Sequence, residues 1–393
     1  MNNTSALKNL KMLPTDAAIE IYNLALAHRE ETENTRSLAP AIVEKLKDFE
    51  LFRMGLPSYL GGWEDNPVET LKVYELLSSA EASVAWIVWN NHLACTFGRF
   101  LDETSMNEIF NNPSHSYANS ARPEGVAEIV TGGYMVSGRW SLVSGCELAD
   151  WFALRCLVTS DDLPKKLGPG AKLKLFFIPK KDIEVIDTWS VGGLKGTGSH
   201  DVEIKKAFVK EGYTVDFTSP VHINNAYSRL PIGCVNAAGN AAMALGLLKS
   251  ATDALVEICL ERVTPGKNPD LRDRLTIQTA IAKSKTILNA TRSQLHNSVS
   301  TIWNESLESN TYTDEQLADV WAASYNAATS AKSMLSEIYS VAGTASLYTK
   351  SRIERAHRDI FAVLQHGIIQ PHWMNQAGMA YLGLTPTGAM FRT

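Results

Sequence analysis

The chain has 393 residues, 45% of them apolar and 20% charged, with 37 Lys and Arg against 42 Asp and Glu for a net charge of -5. At about 100 to 200 residues per domain this is two or three globular units, which excludes disordered and collagen-like classes, and the near-balanced charge leaves no basic footprint for a nucleic acid partner. Apolar runs stop short of the roughly 18 residues of a membrane-spanning helix, and the polar start has no secretory pattern, so we expect a cytoplasmic protein without a membrane partner.

The first part reads as helical to about residue 112. Thr15 or Asp16 caps a helix through His28, and a second periodic stretch from Leu38 to Met54 stops at Gly55 with Pro57 beyond. Asn66, Pro67 and Glu69 read as N-cap, N1 and N3 of a capping box, opening a helix with Leu71, Tyr74 and Leu77 on one face. After Pro113 alternation and glycine turns take over: Gly132-Gly133 between strands, then strands from Trp151 to Val158 and from Leu173 to Ile178, ending near Phe217. Four long helices follow, over 232–263, 270–306, 314–342 and 352–382, long enough for an antiparallel bundle. The first is crowded with Gly and Ala from Gly233 to Gly246, which suits a central position or a subunit contact. The expected fold is α+β and mostly α: an N-terminal helical domain over 1–115, a central β domain over 116–220, and a C-terminal four-helix bundle over 221–393. Five cysteines without a close pair read as buried thiols, and neither they nor the nine histidines have metal-ligand spacing.

This order of helices, β domain and bundle resembles the acyl-CoA dehydrogenase superfamily, and three local sequences carry the likeness. They are Gly133-Tyr134-Met135-Val136-Ser137-Gly138-Arg139-Trp140-Ser141-Leu142-Val143-Ser144-Gly145, then Gly193-Leu194-Lys195-Gly196-Thr197-Gly198-Ser199-His200-Asp201-Val202, then Arg355-Ala356-His357-Arg358-Asp359. The resemblance implies a flavin between the β domain and the bundle, and a homotetramer.

Trp140 and Ser144, four apart on a predicted strand, place an aromatic body and a hydroxyl on one face. Read alone they are a core residue and a turn residue; within the matched motif they stand beside a flavin. The glycine stretch 192–198 is no dinucleotide fingerprint, because a strand rather than a helix follows; the resemblance makes it a loop beside flavin, with Thr197 and Ser199 as polar contacts. Arg262, at a helix C-terminus, matches an arginine that holds flavin phosphate in the family, and Thr344 and Ser346 are further candidates for the phosphate or ribityl chain.

The last helix decides the branch. The dehydrogenases carry a glutamate-containing element after the Arg-Asp pair, whereas here Asp359 is followed by no acidic residue and by His366. This looks like the flavin-dependent monooxygenase branch, the oxygenase components of two-component aromatic hydroxylases. Those place a second, substrate-facing histidine where His92 follows Trp86 and Trp89; read alone, His92 is a satisfied core residue. The resemblance implies reduced FMN or FAD delivered by a separate NAD(P)H-dependent flavin reductase, and O2 as co-substrate. A C4a-hydroperoxide of the flavin then hydroxylates a small aromatic or N-heteroaromatic substrate. His92 engages the substrate, and His366 stabilises or protonates the peroxide, as a group titrating near pH 6.5 is able to do. Trp86, Trp89, Phe97 and Trp373 supply dry walls, and Asn119 and Ser120 polar contacts. The alternatives are an acyl-CoA dehydrogenase with its base moved to Glu257 or Glu261, and a catalytically silent homologue serving assembly.

Overall fold

The computed structural model describes residues 12–261, 270–309 and 311–393. Helices α1 (Pro14–Ala27), α2 (Arg29–Thr35), α3 (Pro40–Asp48), α4 (Pro67–Ala80), α5 (Ala82–Thr96) and α6 (Glu103–Phe110) precede the strands. Proline rather than a polar cap starts α1: Pro14 takes N1, where its missing N–H costs nothing, so Thr15 and Asp16 fall inside the first turn and not at the cap. The second expected helix is shorter than its periodicity, since α3 gives way to a 3-10 turn at Leu51–Arg53. Asn66 caps α4 as expected through the Val68 N–H, but Glu69 pairs with Lys72 at 2.6 Å and leaves the box one-sided.

Strands β1 (Tyr117–Val130), β2 (Gly133–Trp140), β3 (Trp151–Thr159), β4 (Lys172–Pro179), β5 (Glu184–Ile186), β6 (Asp201–Lys210) and β7 (Thr214–Val215) build a sheet ordered β5-β6-β2-β1-β3-β4-β7. β1 and β3 run parallel, and the other neighbours antiparallel. The pleat sends adjacent residues to opposite faces. Phe176 thus joins one core, with Trp140 and Phe152, and Phe177 joins another, with Phe97 and Phe110 of the helices. Register shifts in the β2–β6 pairing between Val136 and Gly138, so the inward set on β6 changes from Val202 and Ile204 to Ala207 and Val209. Phe208 is turned out by this bulge.

Then come α7 (Ala226–Arg229), α8 (Ile232–Glu261), α9 (Leu275–Glu308), α10 (Asp314–Ala342), α11 (Arg352–Val363) and α12 (Pro371–Tyr381). The small-residue helix α8 is central, packing against α4, α9, α10 and α11. A Cβ on Gly246 would lie 2.2 Å from the Glu75 carbonyl oxygen, so only glycine lets α4 approach this closely. The last expected helix is two. Leu364 ends α11, a 3-10 turn occupies Gly367–Ile369, and Pro371 starts α12, because a proline disfavours helical backbone in the residue before it. All five cysteines are free and buried.

Candidate active site

The broken last helix creates the site's central group. His366 is the N-cap of the 3-10 turn, and its Nδ1 accepts the Ile368 backbone N–H at 3.2 Å. A nitrogen that accepts carries no proton, so the neutral ring holds its hydrogen on Nε2. Nε2 makes no hydrogen bond among the described residues. The ring is set edge-on to Trp89, centroids 5.1 Å apart, and to Trp86 at 5.8 Å. Burial, and then the Arg122 charge, push its pKa down to about 4, so at neutral pH His366 is a hydrogen-bond donor and not an imidazolium acid.

Both tryptophans come from α5, which lies between β1 and α8 and is buried almost throughout. Its position is fixed by side-chain amides: Asn91 Oδ1 accepts the Tyr117 N–H at 2.6 Å, and Asn119 Nδ2 donates to the Asn90 carbonyl at 2.9 Å and to its side-chain oxygen at 3.0 Å. Asn119 therefore fastens the helix to the sheet. Neighbouring Ser120 is buried, with its Oγ accepting the Arg122 N–H at 3.4 Å.

Trp86 links His366 to a ladder of hydroxyls. Its indole N–H donates to Ser144 Oγ at 2.9 Å, Ser144 and Ser199 are 2.7 Å apart, Ser199 and Thr197 are 2.7 Å apart, and Thr197 donates to the Leu194 carbonyl at 2.8 Å. With the Thr197 proton committed to a carbonyl, the others run one way, Ser144 to Ser199 to Thr197. The structure thus gathers Trp86, Ser144, Thr197, Ser199 and His366 from four separate segments.

Trp140 is not among them. Ser144 lies past the end of β2, so the two never share a strand face; Trp140 is fully buried in the sheet core, its indole N–H on the Arg155 carbonyl at 2.8 Å. Its ring lies against Gly125 and Gly138, where a Cβ on Gly125 would meet it at 2.0 Å. Trp373 also departs from expectation: it stacks on Trp321 with centroids 4.0 Å apart inside the bundle. Phe97 packs on Phe217. Thr344 is exposed, and the Ser346 hydroxyl donates to the carbonyls of Gly343 at 2.7 Å and Tyr339 at 3.1 Å. Arg262 lies outside the described residues. Of the alternative bases, Glu257 is ion-paired with Arg352 at 2.9 Å and Glu261 is exposed at the end of α8.

The third motif holds the hydroxyl ladder in place. Asp359 accepts the Leu194 N–H at 2.7 Å, and the Arg358 guanidinium donates to the Gly192 carbonyl and to Glu33, the latter at 2.9 Å. Glu33 also binds Arg355 at 2.7 Å and Lys195 at 2.8 Å. Burial, and next the Glu81 charge, raise the pKa of Asp359.

A flavin ring edge offers acceptors, and the segment after β2 offers donors. The Val143 N–H bonds the His200 carbonyl at 3.0 Å, while the N–H groups of Leu142 and Ser144 on either side have no acceptor among the described residues. Leu142 is half exposed with φ of 59°, a left-handed conformation rare for leucine, and presents an apolar surface beside those donors. Unpaired N–H groups next to an apolar platform fit an isoalloxazine edge and face.

His92 stands at a separate, partly open recess, with Tyr74, Trp89, Arg99, Tyr227 and Asn236 also in its wall. Nδ1 meets the Tyr74 hydroxyl at 2.5 Å, and Nε2 the Tyr227 hydroxyl. Burial, and then the Arg99 charge, push its pKa down to about 3. Sequence reasoning placed Tyr74 on a helix face but gave it no role. Tyr227, on a four-residue helix, and Arg99 offered no sequence signal.

Residues 238–371 match the family model described as acyl-CoA dehydrogenase, C-terminal domain. The chain is 25% identical over 391 residues to an indole-3-acetate monooxygenase of Acinetobacter baumannii, covering 97% of this chain and 98% of the relative. It is 28% identical over 290 residues to the oxygenase subunit HsaA, a flavin-dependent monooxygenase of Rhodococcus jostii, covering 69% and 72%. XiaF of Streptomyces, solved with FADH2 and glycerol, superposes with a TM-score of 0.86 at 21% identity, over 95% of this chain and 96% of that one.

Proposed function

We propose, from the premise that this chain belongs to the acyl-CoA dehydrogenase superfamily and has the fold of its monooxygenase members, that it is the oxygenase component of a two-component system. It hydroxylates a small aromatic or N-heteroaromatic substrate with O2 and with reduced FMN or FAD from a separate NAD(P)H-dependent flavin reductase. It works as a cytoplasmic homotetramer; among the described residues no helix is long and apolar enough to cross a membrane. The observation that carries this reading is the His366 ring between Trp86 and Trp89, its Nε2 hydrogen without a partner among the described residues.

Reduced flavin, when bound, supplies the electrons that activate O2 for transfer of one oxygen atom. The chain's own residues do the rest. The backbone N–H groups of Leu142 and Ser144 hold the ring edge, and the loop bearing Ser199 and Thr197 backs them. Trp86 and Trp89 exclude water, which strengthens every polar interaction inside. His366 stays neutral and keeps a proton at Nε2 that would be available to developing negative charge, where one fixed donor contributes about 100-fold or more in rate. The dehydrogenase alternative lacks support, because Glu257 is held in an ion pair with Arg352.

Aerobic turnover with a generic flavin reductase over a panel of phenols and indoles, read by product mass after 18O2 labelling, tests the reading. Products gaining one labelled oxygen are expected. Bleaching of oxidised flavin by acyl-CoA thioesters without oxygenated product is the result that replaces oxygenation with dehydrogenation.

A further inference from the structure

Arg99 is 7% exposed, yet it belongs to no ion pair among the described residues. Its Nε donates to the Thr96 carbonyl at 3.1 Å, and its Nη1 to the carbonyls of Ser228 at 2.6 Å and Leu230 at 3.0 Å. Its Nη2 has no hydrogen-bond partner among the described residues, and Arg99 forms part of the recess wall beside His92. A second recess adjoins it through Thr96, Arg99 and Tyr227; the carboxylate in that wall, Glu64, accepts from Asn225.

Arg53 is the control. It is as buried, and it also clamps carbonyls, but both of its terminal nitrogens are occupied, Nη1 by Asn112 and Tyr117, and Nη2 by Leu60 and Phe110. Arg53 is a structural clamp; Arg99 is a clamp with one face left for a ligand. A guanidinium withdrawn from water and without a counter-ion is costly, and a ligand carboxylate removes that cost with charge-assisted hydrogen bonds.

We infer that the recess selects an arene bearing a carboxylate, whose acid group is bound by Arg99 Nη2. The ring then lies toward Trp89, which is shared between this recess and the edge of His366. The inference rests on the oxygenase reading and adds the substrate class to it. Arg99 sets specificity by binding the acid, and an amide or ester of the same arene leaves the cation unpaired.

The test compares indole-3-acetate with indole-3-acetamide, and 3-hydroxybenzoate with 3-hydroxybenzamide, by calorimetric titration of the flavin-loaded enzyme and by turnover. At least one acid is expected to bind about tenfold or more tightly than its amide, the usual scale for a hydrogen bond to a charged group. Arg99→Gln is expected to bring that acid down to its amide while amide affinity holds, which also reports an intact fold. Should Arg99→Gln misfold, Arg99→Lys, which keeps the charge, is expected to retain part of the preference. Equal binding of acid and amide by the wild-type enzyme, binding of neither pair, or an acid preference that survives Arg99→Gln overturns the inference. Oxygenation of the neutral arenes as fast as the acids sinks it while leaving the oxygenase reading intact; loss of that reading is seen instead as no oxygenated product from any arene.

Discussion

His92 is buried and His366 half-buried, and both are held neutral, yet their surroundings assign them different work. Each nitrogen of His92 meets a tyrosine hydroxyl, so neither is left for a substrate. His366 has one nitrogen fixed by a backbone amide and the other without a partner among the described residues. Counting what each ring atom already touches therefore separates a positioning histidine from one able to act, where residue type and pKa direction do not. His92 shapes the recess through Tyr74 and Tyr227.

The contrast breaks most readily at His366. His366→Ala should lower product formation by about 100-fold or more, the scale for one fixed donor, with unchanged circular dichroism. Near-normal turnover by that variant removes His366 from the chemistry. His92→Phe should act first on stability, since it strands two buried hydroxyls at roughly 1 to 3 kcal/mol each; urea unfolding measures the loss. If instead His92→Phe unfolds like wild type but fails to turn over, the two histidines are alike after all.

Acid titration sharpens the same point. The unfolded His92 takes up a proton near pH 6.5, whereas burial holds the folded ring down to about 3. As the pH falls the unfolded chain binds protons first, so the contribution of His92 is full above about 6.5 and declines toward about 3. Urea midpoints of wild type and His92→Gln measured across that window should converge as the pH drops. Parallel curves would mean that the folded ring titrates normally. The smallest effect belongs to Ser144→Ala, which leaves the Trp86 indole without its acceptor, at about 1 kcal/mol with a shift in tryptophan emission.

The helix–sheet–helix order was legible because periodicity and glycine turns are local, and the bundle's first three helices sit close to where the period puts them. The fourth was misread because an apolar period continues smoothly through the break, and only Gly367 and Pro371 mark it. Ser144, Thr197 and Ser199 were read from the matched motifs, and Trp86 and His366 from the likeness to the monooxygenase branch. What joins them was not, since the order of the hydroxyl ladder depends on which proton is already committed to the Leu194 carbonyl. Trp140 was assigned to the cofactor through the matched motif, and its expected shared face with Ser144 fails because Ser144 lies past the end of the strand. Arg99 and Tyr227 were invisible for a plainer reason: one ends up beside the other only through a chain reversal more than a hundred residues later.

The five cysteines acquire a meaning from this chemistry. Peroxides attack the thiolate, not the thiol, and burial raises the pKa of each of these groups, at Cys146 to about 12. A catalyst that handles activated oxygen at every cycle thus keeps these five thiols in the protonated, less reactive form.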